Sequence, residues 1–127
     1  MKNVLIVEDS KAIRSMMRII LEETGGYFFV EASNGFEALK SLPTREFDLI
    51  ITDINMPDIN GLELISYVKS NPTYRNIPFI IVSTEKSEED QKRGMALGAA
   101  GYVVKPFSKQ ELRDVVVSVL EGRKKMV

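Results

Sequence analysis

Short, unbroken apolar runs recur along this chain, and stretches with helical spacing separate them. The runs lie at 4–7, 28–30, 49–51, 79–82 and 102–104. A strand that is apolar on both faces belongs in a parallel sheet covered on both sides, so the pattern predicts a layered α/β fold. The first intervening stretch carries Ile13, Met16, Met17, Ile20 and Leu21, one stripe on a helix that Gly25 and Gly26 end. The last repeats that spacing with Leu112, Val115, Val116, Val119 and Leu120, and opens on Ser108 and Glu111, a capping-box pair. A third helix is expected after Asn60-Gly61, turning Leu62, Leu64, Ile65 and Val68 inward and stopping before Pro72. A shorter one starts near Asn34-Gly35 and stops before Pro43. The segment 87–97, opening at Ser87, is polar in its first half, which predicts a marginal helix with Met95, Ala96 and Leu97 buried.

Five strand-helix repeats with short connections leave right-handed crossovers as the topology. In open sheets of this kind, ligands gather beyond the carboxyl ends of the strands. Those ends carry Glu8 and Asp9 after the first run, Asp53 after the third, Ser83 and Thr84 after the fourth, and Lys105-Pro106 after the fifth. Each has an ordinary explanation when taken singly. Asp9-Ser10 could cap the first helix, Asp53 could open a turn through Met56-Pro57-Asp58, Ser83 could bond the nearby backbone, and Lys105 could be a solvated charge. Together they point further. Three carboxylates at one sheet edge repel one another, a bound cation offsets that cost, and all-oxygen ligands suit Mg2+ or Mn2+. One carboxylate can then attack phosphorus while the cation and Lys105 neutralise the phosphoryl oxygens and Ser83 donates to one of them.

Composition narrows the chemistry. The 127 residues suit one domain, expected over 1–127, and 44% hydrophobic with 28% charged residues is a soluble globular balance. A net charge of -1 gives no general attraction to nucleic acid or anionic lipid. With no Cys and no His, thiolate nucleophiles, imidazole bases and Cys- or His-ligated metals are excluded. A phosphohistidine donor must therefore come from another protein, which implies a partner kinase. The first apolar run is too short for a signal peptide or a membrane span, and Glu8 and Asp9 interrupt it, so a cytoplasmic location is expected. The last helix should end near Gly122, and Arg123, Lys124 and Lys125 then complement its dipole rather than bind nucleic acid. No output domain is expected after it.

The segments VLIVEDS, LIITDINMPDINGLELI, FIIVSTE and GAAGYVVKPFS, in register on this alternation, resemble the receiver domains of two-component response regulators. The likeness is to the stand-alone, CheY-like kind and runs over essentially the whole chain. It implies a flavodoxin-like, doubly wound sheet of five parallel strands in the order 2-1-3-4-5, with five helices. It also implies that Asp53 is the phosphoacceptor and that Glu8, Asp9, Asp53 and the backbone carbonyl of Asn55 surround Mg2+. Ser83 would hold the phosphoryl group, Lys105 would bind it, and Lys105-Pro106 would be a cis peptide. Tyr102 would change rotamer and so alter a target-binding surface made of the 87–97 helix, the Tyr102 strand and the last helix. An aromatic that packs without moving is the alternative for Tyr102. Asn55 and Glu85 resemble the pair in chemotaxis regulators with short-lived phosphorylation. Two positions depart from common versions of the pattern. Glu8 is a methylene longer than the usual Asp, and Ser83 lacks the methyl of Thr.

Rival readings fit less well. An aspartyl-phosphate phosphatase would need a second Asp two residues after Asp53, where Asn55 stands, and would need a cap domain. A flavodoxin-like cofactor binder would need a glycine-rich first turn, but Glu8 and Asp9 place negative charge there. A receiver-like adaptor that works without phosphorylation keeps the same residues and is separated only by measurement. Kinase, target and pathway are not encoded in the motifs.

Overall fold

A computed structural model describes residues 1–84 and 88–122. The chain alternates strand and helix in the order β1 (Lys2–Val7), α1 (Lys11–Glu22), β2 (Tyr27–Ala32), α2 (Gly35–Ser41), β3 (Leu49–Asp53), α3 (Gly61–Ser70), β4 (Phe79–Thr84), α4 (Glu88–Ala96), β5 (Gly101–Lys105) and α5 (Lys109–Glu121). A single 3-10 turn, Leu42–Thr44, closes α2 at Pro43. All strand pairs are parallel, and the sheet order is 2-1-3-4-5. The expected flavodoxin-like architecture is therefore the observed one.

The unbroken apolar runs are explained by two cores, one on each face. Leu5, Val7, Ile50, Phe79 and Ile81 pack on one side with Ala38, Leu64, Ile65 and Val68 of α2 and α3. Val4, Ile6, Leu49, Ile51, Ile80, Val82 and Val103 pack on the other with Met17, Ile20 and Leu21 of α1 and Leu112 and Val116 of α5. Successive strand residues alternate between these cores, so apart from Lys2, Asn3 and Thr84 at their ends, neither face of the three central strands meets water. Each strand extends beyond its apolar run. The ladder carries β3 on through Thr52 to Asp53 and β4 through Ser83 to Thr84, because partner strands still offer backbone groups there.

The capping box expected at the start of the last helix is present, and α3 adds one that was not expected. Asn60 and Glu63 form a capping box on α3, and Ser108 and Glu111 form another on α5. The α4 region differs from the sequence reading. Ser87 and Glu85 lie outside the described residues, as do Arg123, Lys124 and Lys125. Within α4 and the turn after it, Met95, Ala96 and Leu97 are exposed, with Met95 at 47%, and the buried contacts are Gly94 and Ala99. A Cβ on Gly94 would stand 2.1 Å from Ile81 Cδ1, so α4 rests on β4 through its backbone rather than through an apolar stripe.

Candidate functional site

Sheet order reverses between β1 and β3, and the crevice at their carboxyl ends is where an open α/β sheet places ligands. Glu8 and Asp9 leave β1 there, and Asp53 ends β3 beside them. Carboxylate oxygens of Glu8, Asp9 and Asp53 lie within 4.8 Å of one another, with Glu8 and Asp53 buried and Asp9 exposed. From the far side, β5 delivers Lys105, whose Nζ lies 2.8 Å from Glu8 Oε1 and 3.4 Å from Asp53 Oδ2. The Lys105-Pro106 peptide is cis, as the motif implied.

Glu8 is fully committed inside the protein. Its second oxygen, Oε2, accepts from the Ser10 amide at 3.0 Å, so its extra methylene carries the carboxylate across to the lysine. Asp53 is held more loosely: Oδ1 accepts from the Asn55 amide at 3.4 Å. Asn55 itself is exposed at the crevice. Gly61 lets α3 come this close. A Cβ there would meet the Asp53 carbonyl oxygen at 2.2 Å, and the Gly61 amide donates to the Ile54 carbonyl at 2.9 Å.

Burial holds the Asp53 carboxyl above the usual carboxylate range, against the opposing pull of Lys105 and the Asn55 amide. Burial likewise raises Glu8, against its bonds to Lys105 and Ser10. For Lys105, burial disfavours the charge, but the Glu8 hydrogen bond and the Asp53 charge outweigh it and leave the ammonium more basic than usual. The site is thus short of positive charge. Its donors are all hard oxygens, which fits a divalent cation of the Mg2+ or Mn2+ type, with Asp9 and Asp53 the freest carboxylates to hold it.

Among the described residues, two buried side-chain polar atoms lack a hydrogen-bond partner, Ser83 Oγ and the Tyr102 hydroxyl. Buried hydroxyls without partners are uncommon in folded proteins, so this pair stands out. Ser83 is paired with Val104 in the β4–β5 register, one residue before Lys105. Tyr102 packs against the core that α2 and α3 cover. The model of the response regulator receiver domain matches residues 4–117.

This chain belongs to the response-regulator receiver family.

Among curated proteins, the receiver is 34% identical to chemotaxis protein CheY1 of Helicobacter pylori over 91% of this chain and 94% of that one. Its fold matches that of chemotaxis protein CheY4 of Vibrio cholerae with a TM-score of 0.86 and 38% identity, covering 94% of this chain and 98% of that one. It also matches a Mn2+-bound form of the response regulator Rcp1, with a TM-score of 0.80 and 25% identity over 93% and 91% of the two chains. Receivers of this kind are signalling switches that take phosphate from histidine kinases and act on downstream targets. No helix among the described residues is long and apolar enough to cross a membrane. The sequence motifs contain Ser10 and Gly61 as well as the site residues described above, but not Arg14. Arg14 donates to the Glu8 carbonyl from the second turn of α1, and an arginine in an amphipathic helix gives no sign of such a contact.

Proposed function

We propose that this receiver is a phosphorylation-dependent switch whose acceptor is Asp53. The observation that carries the reading is the convergence of Glu8, Asp9 and Asp53 within 4.8 Å, with Lys105 Nζ 3.4 Å from Asp53. In the transfer, an Asp53 carboxylate oxygen attacks the phosphorus of a phosphohistidine on a partner kinase. The phosphorus–nitrogen bond breaks, the imidazole nitrogen keeps the electron pair, and Asp53 becomes an acyl phosphate.

Mg2+ or Mn2+, when bound by Asp9, Asp53 and the Asn55 carbonyl with Glu8 alongside, supplies positive charge to the carboxylates and the phosphoryl oxygens. Lys105 gives up part of its hold on Glu8 and Asp53 and pairs with a phosphoryl oxygen. Ser83 Oγ, which has no partner in the structure, gains one by donating to the same group. The end of β4 at Ser83 and Thr84 then moves toward Asp53, and Tyr102 follows. The changed surface of α4, β5 and α5 is what a target protein reads. Asn55 and Glu85 tune the lifetime of the acyl phosphate, which water removes without any separate substrate turnover.

The test is intact-mass measurement after mixing the protein with Mg2+ and acetyl phosphate. Wild type gains one phosphoryl group, and Asp53→Ala or wild type in EDTA gains none. Equal labelling of wild type and Asp53→Ala would refute the acceptor assignment. No labelling of wild type that binds Mg2+ would leave an adaptor that works unphosphorylated.

A further inference from the structure

Glu8 and Asp9 lie in the turn between β1 and α1, so regular secondary structure does not fix their direction. What holds their peptide is therefore decisive. The Glu8 amide donates to the Ala32 carbonyl at 3.1 Å, adding one rung to the β1–β2 ladder. The Glu8 carbonyl accepts from Arg14 Nη1 at 2.6 Å. That carbonyl shares a planar unit with the Asp9 amide, so a guanidinium on its oxygen sets the plane from which the Asp9 Cα departs. Because Asp9 is exposed, packing does little to orient it.

Arg14 is itself held. Its Nε donates to Glu31 Oε1 at 2.9 Å, and its side chain is 13% exposed. The other Glu31 oxygen accepts from Arg18 Nη1 at 2.7 Å, and Arg18 Nε donates to Glu22 at 3.2 Å. Glu31 sits in β2 opposite Ile6 of β1. One rigid guanidinium thus spans an edge-strand carboxylate and the backbone of the acidic turn, a two-acceptor geometry that a lysine ammonium does not reproduce.

We infer that Arg14, aligned by Glu31, is a positioning residue for divalent-cation binding. It holds the Glu8–Asp9 peptide so that the Asp9 and Asp53 oxygens face a common point. It touches neither cation nor phosphoryl group and acts only through the Glu8 carbonyl. The inference rests on the acidic trio being the cation site proposed above.

Calorimetric titration with Mg2+ of wild type, Arg14→Ala, Arg14→Lys, Glu31→Gln and Asp9→Asn tests it, each protein first shown folded by circular dichroism. Arg14→Ala is expected to weaken Mg2+ about 10-fold, the usual effect of removing a group that orients a metal ligand. Arg14→Lys recovers part of the loss, and Glu31→Gln falls between wild type and Arg14→Ala. With acetyl phosphate, the Mg2+ concentration for half-maximal labelling rises in Arg14→Ala, while the rate at saturating Mg2+ stays within about twofold of wild type. Should Arg14→Ala unfold, Arg14→Lys and Glu31→Gln decide the question by the same readouts. Lower thermal stability with wild-type Mg2+ affinity in these variants would overturn the inference, leaving Arg14 a staple between α1 and β2. If wild type bound no Mg2+, or Asp9→Asn bound it as well as wild type, the cation site would fall and the inference with it.

Discussion

At the scale of single residues, the site is built against its own stability. Asp53 is buried with a carboxyl whose charge is disfavoured, and one lysine serves both Asp53 and Glu8. Asp53→Asn keeps the shape and removes the charge, so the metal-free variant should be more stable than wild type by about 1 kcal/mol in urea denaturation. The sign with pH follows from the raised folded-state value. The penalty on the charged form is fully present above that value, shrinks as pH falls below it, and is gone below the ordinary carboxylate range, where both folded and unfolded Asp53 are protonated. The advantage of Asp53→Asn should therefore be largest near neutrality and vanish in acid. A constant advantage down to acid pH would place its cause outside the Asp53 charge. Much of this site was legible in the sequence, because Glu8, Asp9, Asp53, Ser83 and Lys105 all lie within two residues of the end of an apolar run. The Glu8–Lys105 bond and the Arg14 clamp were not, since pairing across 97 positions, or from a helix to a turn carbonyl, leaves no local pattern.

At the scale of elements, legibility depended on how each helix meets the sheet. The helices α1, α3 and α5 carry apolar stripes, and the last two carry capping boxes, so periodicity and start signals agreed with the structure. The helix α4 has no such stripe. It approaches β4 through Gly94, and a residue without a side chain is invisible to hydrophobic periodicity, which is why Met95, Ala96 and Leu97 were read as buried. Two truncations measure the difference. Met95→Ala should change stability by no more than about 0.5 kcal/mol, as expected at exposed positions. Met17→Ala, in the α1 core, should cost about 2 to 5 kcal/mol. A Met95→Ala loss as large as that of Met17→Ala would show that Met95 is buried in solution. A helix held by few apolar contacts is also the element whose position a signal can shift at least cost.

At the scale of the whole molecule, the layered architecture followed from unbroken apolar runs, because only a sheet covered on both faces buries every residue of a strand. The strand order came from the family likeness rather than from any pattern of residues. The order matters because it sets β1 beside β3 and so brings three carboxylates to one crevice. A cation that binds only the folded form stabilises it by mass action. At about 100 times its dissociation constant, Mg2+ should add about 2.7 kcal/mol. That is a rise of several degrees in Tm, which EDTA reverses and which Asp9→Asn and Asp53→Asn lose. An unchanged Tm in wild type would argue against the cation site.

The central claim is that one carboxylate, Asp53, carries the phosphoryl group as an acyl phosphate. Borohydride reduces an acyl phosphate to an alcohol, so an aspartyl phosphate becomes homoserine at its own position. After treatment with Mg2+ and acetyl phosphate, then borohydride, peptide mass mapping should find homoserine at position 53 and nowhere else, and none without Mg2+. Homoserine at Asp9 or Asp58, or none at any position in protein that has gained a phosphoryl group, would contradict the account.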